Sequence, residues 1–236
     1  SVATSGDPLL RSLLDQHTHH ASAPVTVGLG GGTRAGVFGR DDVVGRQIAW
    51  LALQAATQHA PGDVALAVFS RDNALTSWAK WLPHCRLRQG RNSTTLIARS
   101  GTEATAVLRA INHDLQSRAA LEDGPVYLVI ADGRSWQSLG ERMTRSLPAG
   151  NPSVSVVLVR RTFEELSGDC DVVIDLAAPS RGVVRRRVES AEPLTFIPDV
   201  LDPVRVMPAA LALAPLEAVE SGARGTVPGT ARLVDL

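Results

Sequence analysis

Strand-like apolar runs alternate with helical patterns along this chain, and that alternation constrains the fold most. The runs predict strands at 64–69, 94–98, 126–131, 154–159 and 172–176, and a further one at Ala35–Phe38. A run that is apolar at nearly every position is typical of a strand covered on both faces. Strands separated by helices favour a mostly parallel sheet between helical layers. We therefore predict an α/β fold with helices on both faces of the sheet.

The segments between these runs carry turn, helix-start and helix-stop signals. Val25–Leu29 is predicted to form one more strand, which is followed by a turn at Gly30–Gly32. A capping box, Ser100-x-x-Glu103, opens one of the helices. Helices are predicted from Asp41 to about His59, from Leu75 to Trp81, from this capping box to Arg118, and from about 138 to 147.

Both ends of the chain differ in character from its centre. Residues 1–23 are predicted to form a short helix at 7–14 and a flexible segment, and residues 24–180 the α/β core. Residues 181–220 favour a hairpin-and-helix extension, and 221–236 favour a linker towards a following domain. The arginine run 185–187 is interpreted as an edge device that deters strand addition.

Composition excludes several classes of function. The 24 basic and 24 acidic residues give a formal net charge of zero, so no nucleic-acid partner is expected. No apolar run approaches the roughly 20 residues that span a bilayer, and we expect a soluble fragment. Two distant cysteines, Cys85 and Cys170, suit a reducing compartment without a disulfide.

A glycine-containing strand-to-helix junction invites a test for a phosphate-binding loop. Such a loop needs a lysine at the head of the helix, but the only lysine, Lys80, lies about forty residues too late. The junction retains Gly39 and Gly45, whereas Asp41 and Asp42 bring negative charge to the helix start. Arg40 is not in the position of the lysine. We predict a degenerate P-loop-like fold that binds no Mg-ATP and has no cofactor.

Candidate metal-binding and catalytic residues are few. Asp132 ends an apolar strand as a magnesium-binding aspartate does, but Gly133 follows where a catalytic glutamate would stand. We expect Asp132 to make a turn or a cap instead. The histidines at 17, 19 and 20 lie in a polar stretch without a second ligand cluster, so no metal site is predicted. No catalytic residue is assigned.

The segment Trp78-Ala-Lys-Trp-Leu-Pro-His84 holds two of the four tryptophans. Trp78 and Trp81 are three residues apart and would share one side of a short helix that Pro83 stops. The indoles could pack in the core, or they could anchor a neighbouring domain. We take Trp78, Lys80, Trp81 and His84 as interface candidates, with one indole in the core and the other exposed.

This segment resembles the Trp-x-x-Trp-Leu-Pro-His signature of the FtsK/SpoIIIE-type ATPases of type VII secretion (EccC/EssC). The similarity extends over roughly residues 24–236, through His59-Ala-Pro-Gly-Asp63, the strand ending in Asp132-Gly133, and Leu211-Ala-Leu-Ala-Pro-Leu216. In those ATPases, this stretch looks like the degenerate ATPase-like module of unknown function between the transmembrane helices and the first ATPase domain.

The resemblance implies a non-catalytic structural or regulatory role at the cytoplasmic face of the bacterial inner membrane. The implied partners are other domains of the same motor ATPase and membrane components of the secretion complex, with a hexamer in the full assembly. Two alternatives stay open: a weak nucleotide-binding ATPase domain, and a docking module for secreted substrates or partner proteins.

Overall fold

An eight-stranded sheet runs through the centre of the molecule. The computed structural model describes residues 24–89, 92–118, 124–138, 146–147, 151–166, 168–187 and 192–216. The strands are β1 Arg34–Gly39, β2 Val64–Phe69, β3 Arg86–Gln89, β4 Asn92–Thr95, β5 Ile97–Ala98, β6 Val126–Asp132, β7 Val154–Arg160, β8 Val172–Ala178, β9 Arg181–Arg186 and β10 Leu194–Phe196. The helices are α1 Asp41–Gln58, α2 Asn73–Ala79, α3 Gly101–Arg118 and α4 Pro203–Leu213, with a 3-10 turn at Pro83–Cys85.

The sheet is mostly parallel, as predicted. Its strand order is β10-β9-β8-β1-β7-β6-β2-β5, and every pairing from β8 to β5 is parallel. β9 and β10 add antiparallel strands at one edge. The C-terminal hairpin therefore extends the main sheet, and α4 packs beside α1 and α2.

Helices cover both faces of the sheet. We call the face under α1, α2 and α4 the first face, and the face under α3 the second face. In β7, Val157 and Val159 belong to the first-face core, whereas Val156 and Leu158 belong to the second-face core. Because every residue of β7 is buried on one face or the other, its central run Val156–Val159 is apolar without alternation.

Two predicted strands differ in the structure. Val25–Leu29 alternates between half-buried and exposed residues, but it packs on the first-face core and forms no strand ladder. The predicted strand 94–98 is divided between β4, which pairs with β3 in a separate hairpin, and β5. Leu96 lies between them, fully buried, with its N–H donating to the Cys85 carbonyl. β3 was not predicted.

The arginine run lies at the end of β9, where the strand is paired on one side. Arg185 and Arg186 pair with β8, whereas the ladder with β10 on the other side covers only Gly182–Val184. The Arg186 guanidinium donates to the Thr26 carbonyl at 2.9 Å and so holds the extended segment against β9. The edge role proposed for the run therefore stays a prediction.

Other predictions fall partly outside the described residues. The N-terminal helix, the histidines at 17, 19 and 20, most of the helix at 138–147 and the linker 221–236 lie there. The domain boundaries at 23, 180 and 220 stay predictions. Within the described residues, no helix is long and apolar enough to cross a membrane. Both cysteines are buried and form no disulfide.

Candidate functional site at the carboxyl edge of the sheet

Charged and hydroxyl side chains converge where β1, β2, β6 and β7 end. In an open α/β sheet, ligands bind beyond the carboxyl ends of the strands. The cluster comprises Asp41 after β1, Ser70 after β2, Asp132, Arg134 and Ser135 at the end of β6, and Arg161 after β7. We call this set the carboxyl-edge cluster.

Asp132 is fully buried, and its carboxylate is surrounded by donors. Oδ1 accepts hydrogen bonds from Arg134 Nε at 2.9 Å and from the Arg134 backbone N–H at 3.2 Å. Oδ2 accepts from Ser70 Oγ at 2.8 Å and Ser135 Oγ at 3.0 Å. A carboxylate has about four acceptor positions, so these contacts use its full capacity.

The two hydroxyl groups are oriented by the backbone that follows β2. The Asp72 N–H donates to Ser70 Oγ at 3.0 Å, and the Arg71 N–H donates to Ser135 Oγ at 3.0 Å. Because each hydroxyl oxygen already accepts an N–H, its own proton is available for Asp132. The turn and cap role predicted for Asp132 agrees with this arrangement.

Arg134 joins the buried aspartate to the start of α1. Its side chain is only 7% exposed, and its Nη1 donates to the Asp41 carbonyl at 3.1 Å and lies 3.4 Å from Asp41 Oδ1. Arg161 Nη1 donates to Asp41 Oδ2 at 2.9 Å, and its Nη2 donates to the Arg134 carbonyl at 3.3 Å. Two guanidinium groups thus hold the first residue of α1.

The strand-to-helix junction is a single residue. β1 ends at Gly39, α1 begins at Asp41 as predicted, and Arg40 alone connects them. The Arg40 N–H donates to the Leu176 carbonyl at 3.2 Å. Gly45 lies inside α1. The phosphate-binding loop of NTPases has several residues between its strand and its helix, and this junction is shorter.

Gly39 has a structural role at this junction. Its φ of 133° lies in the region that favours glycine, and a Cβ there would fall 2.4 Å from the Leu176 carbonyl carbon. Arg40 and Asp42 form an exposed ion pair with an Nε to Oδ1 distance of 3.1 Å. The hydrogen bond from Arg40 lowers the pKa of Asp42. Both side chains are more than half exposed, so the ion pair contributes little to the stability of the fold.

Arg160 fills the space next to Gly133, the residue that follows Asp132. Its side chain is buried, with Nη1 donating to the Val159 carbonyl at 3.0 Å and Nε donating to the Glu165 carbonyl at 3.3 Å. Burial lowers the pKa of Arg160. A Cβ on Gly133 would lie 1.5 Å from Arg160 Nη1. Any side chain at 133, including a glutamate, therefore requires Arg160 to move.

The tryptophan segment divides between core and surface. Trp78 is 4% exposed and belongs to the first-face core, whereas Trp81 is 38% exposed. α2 ends at Ala79, so the two indoles do not share a helix face as the spacing predicted. Lys80 is exposed, with its Nζ 5.4 Å from the Trp81 ring centroid. Trp81 and Lys80 are the accessible members of the predicted interface.

His84 is buried and is not on the surface. Its Nε2 lies 2.9 Å from the His59 carbonyl, just after α1. Since a carbonyl accepts, Nε2 carries the proton and Nδ1 does not. Nδ1 is buried without a hydrogen-bond partner among the described residues, and burial lowers the pKa of the ring. His84 thus packs inside the fold, and an interface role for it and for Trp78 would require the fold to open.

Sequence reasoning did not single out Arg134, Arg161, Ser70, Ser135 or Arg160. Their common signal is position, because each follows or ends a buried parallel strand. Among the described residues, no group of three or more histidine, cysteine, aspartate or glutamate side chains is placed to hold a metal.

Several solved structures share this fold. EssC ATPases 2 and 3 from Geobacillus thermodenitrificans match with a TM-score of 0.55 at 11% identity, over 79% of this chain and 43% of that one. EccC ATPases 2 and 3 from Thermomonospora curvata, in complex with a signal sequence peptide, match with a TM-score of 0.55 at 13% identity, over 76% and 39%. The chain has the fold of these secretion ATPase domains.

A third structure covers more of the motor. The cytoplasmic domain of the Thermomonospora curvata type VII secretion ATPase EccC matches with a TM-score of 0.53 at 11% identity, over 76% of this chain and 25% of that one. The chain therefore spans less than half the length of these proteins. No protein-family model and no curated protein sequence matches it.

Proposed function

We propose that this chain is a non-catalytic structural and regulatory module of a type VII secretion motor ATPase. The fold likeness to EccC and EssC domains supports a place in that system. One observation supports the non-catalytic role. Arg134 extends from Asp132 to Asp41, in the region where a P-loop-like fold would hold its nucleotide and metal.

The charges and the hydrogen-bond donors around Asp132 and Asp41 support the non-catalytic role. All the acceptor positions of Asp132 are used, so a divalent cation would have to displace Arg134 or the two serine hydroxyls. The α1 N-terminus already holds the Asp41 carboxylate, which takes the favourable end of the helix dipole and is paired with Arg134 and Arg161. The site is closed by its own side chains.

The proposed role is mechanical coupling between the membrane part of the motor and its ATPase domains. The proposed partners are those domains and membrane components of the complex, at the cytoplasmic face of the bacterial inner membrane and with six copies in the full assembly. Trp81 and Lys80 are the proposed contact residues, because they are the exposed members of the tryptophan segment.

Calorimetric titration of the chain with Mg-ATP tests the non-catalytic role. We expect no saturable heat up to millimolar nucleotide and no phosphate release. The matched control is Arg161→Ala, which removes one guanidinium from Asp41 and leaves the hydrogen bonds of Asp132 in place. Micromolar binding by the unmodified chain, lost on changing Arg40 at the junction or Arg46 in the second turn of α1, would instead establish the nucleotide-binding alternative.

Substrate docking is a second candidate, favoured by the EccC structure that contains a signal sequence peptide. Titration with a secretion-signal peptide of the EccC type tests it. Saturable binding that is lost in Trp81→Ala would assign the exposed indole to substrate instead of to a neighbouring domain. An unchanged affinity in that variant would place any peptide site elsewhere.

A further inference from the structure

An apolar groove lies on the first face of the sheet, between α1 and the extended segment 24–30. Its volume is about 630 Å³, within the range of clefts that hold a bound molecule. Val27, Trp50, Leu51 and Phe196 contribute to its walls. The groove is distinct from the carboxyl-edge cluster, because it includes Val64 and Val126, the first residues of β2 and β6.

One wall of the groove carries a polar atom without a partner. Gln47 Oε1 is buried and accepts no hydrogen bond from the described residues. A buried acceptor without a donor is unfavourable, so an occupant that brings an N–H or O–H group would gain from it. The groove thus favours an occupant that is mostly apolar and has a donor.

The chain itself leads into this groove. Val25, Val27 and Leu29 are half-buried against the first-face core, and the Arg186 guanidinium holds the Thr26 carbonyl. Pro24, the first described residue, is part of the groove wall. The residues that precede Pro24 therefore start at the groove and not at a distant surface.

We propose that residues 7–14 of this same chain dock in the groove. The sequence Asp7-Pro-Leu-Leu-Arg-Ser-Leu-Leu14 has four leucines, at 9, 10, 13 and 14, on one stripe of the predicted helix. The intervening residues 15–23 can reach at most about 30 Å, which is enough to fold back over α1. The N–H groups at the start of the predicted helix can supply a donor for Gln47.

Trypsin cleavage at Arg11 measures this docking directly, since Arg11 is the only lysine or arginine before Pro24. In the full chain, we expect cleavage after Arg11 to be at least about tenfold slower than in a free peptide of residues 1–20. Leu10→Ser with Leu13→Ser should remove this protection. The groove variant Val27→Asp should remove it as well, although it leaves the leucines intact.

Cleavage at Arg109 provides the internal control, because this exposed residue lies in α3 on the second face. Only the Arg11 rate should rise in the variants. Val204→Asp, on the exposed side of α4, is the matched control and should leave both rates unchanged.

Equal cleavage of Arg11 in the unmodified chain and in the free peptide would overturn the proposal, and this comparison needs no variant. So would a co-purifying apolar small molecule that native mass spectrometry detects and Val27→Asp releases, because the groove would then have another occupant. Faster cleavage at Arg11 in both variants, with Arg109 unchanged, is the result expected from docking.

Discussion

The carboxyl-edge cluster and the tryptophan segment use their polar and aromatic groups in opposite ways. At the carboxyl edge, Asp132 and Arg134 are buried and paired with each other. In the tryptophan segment, Trp81 and Lys80 remain accessible beside the buried Trp78. The polar groups at the carboxyl edge are therefore satisfied by one another, whereas the tryptophan segment keeps one aromatic and one cationic side chain on the surface.

The comparison is tested most strongly at Trp78, where the largest loss of stability is expected. Trp78→Ala should lower the free energy of unfolding by about 3–5 kcal/mol, because it leaves a cavity in the first-face core. Urea denaturation measures this change. A loss below about 1 kcal/mol would show that the indole contributes little to the core, and the division of the segment would then be wrong.

The buried pair at the carboxyl edge gives the next largest effect. Asp132→Asn should cost about 3 kcal/mol, because Arg134 loses its buried carboxylate partner and keeps only the exposed one of Asp41, at 3.4 Å. The amide retains one acceptor oxygen, which keeps the loss at the lower end of the range for broken buried pairs. Chemical denaturation at neutral pH measures it.

Two further variants sharpen that result. The double variant Asp132→Leu with Arg134→Met should recover part of the loss, because apolar side chains of similar size need no partner. Asp42→Asn, in the exposed pair with Arg40, should leave the denaturation midpoint unchanged. A double variant less stable than Asp132→Asn would contradict the expected recovery and would show that the pair contributes net stability.

Much of this fold could be predicted from local patterns, whereas the cluster could not. The runs at β2, β6 and β7 are continuous in sequence, so their burial on both faces is visible in the residues themselves. Arg134 and Arg161 contact Asp41 across 93 and 120 residues, and one sequence carries no sign of such pairing. Charged residues after strands could be noted, but their partners could not.

The incorrect predictions have the same origin. Val25–Leu29 shows correct in–out alternation, but a strand also needs a neighbour in the plane of the sheet, and this segment lies over the sheet face. The strand predicted at 94–98 is continuous in sequence, but it is divided between β4 and β5, which pair with different strands. Alternation and apolar runs are local, while pairing depends on the rest of the fold.

A smaller effect is expected at His84, through pH. Burial lowers the pKa of His84 in the folded state below its unfolded value of about 6.5, so the folded chain binds fewer protons. The stability associated with the neutral ring is therefore present above pH 6.5 and is lost as pH falls below it. The loss approaches at most about 1.4 kcal/mol per pH unit.

Denaturation midpoints at pH 7.5 and 5.5 measure the pH effect. His84→Gln should reduce the difference between the two midpoints, because glutamine does not titrate. His113→Gln changes an exposed histidine on α3 and serves as the control, with an expected pH dependence equal to that of the unmodified chain. Equal pH dependence in all three proteins would contradict a buried, neutral His84.

Trp81 gives the smallest expected change in stability and the clearest test of the interface. Its indole is 38% exposed, and a cation–π contact with exposed Lys80 is worth about 0.5–1 kcal/mol. Trp81→Ala should therefore shift the thermal midpoint far less than Trp78→Ala.

If Trp81 anchors a neighbouring domain, the same variant should weaken assembly and secretion in the intact motor, because tryptophan anchors often dominate an interface. Lys80→Ala, which keeps the indole, separates the ring from the charge. A stable Trp81→Ala chain that assembles and secretes normally would remove the interface role, and the tryptophan segment would then act through Trp78 alone.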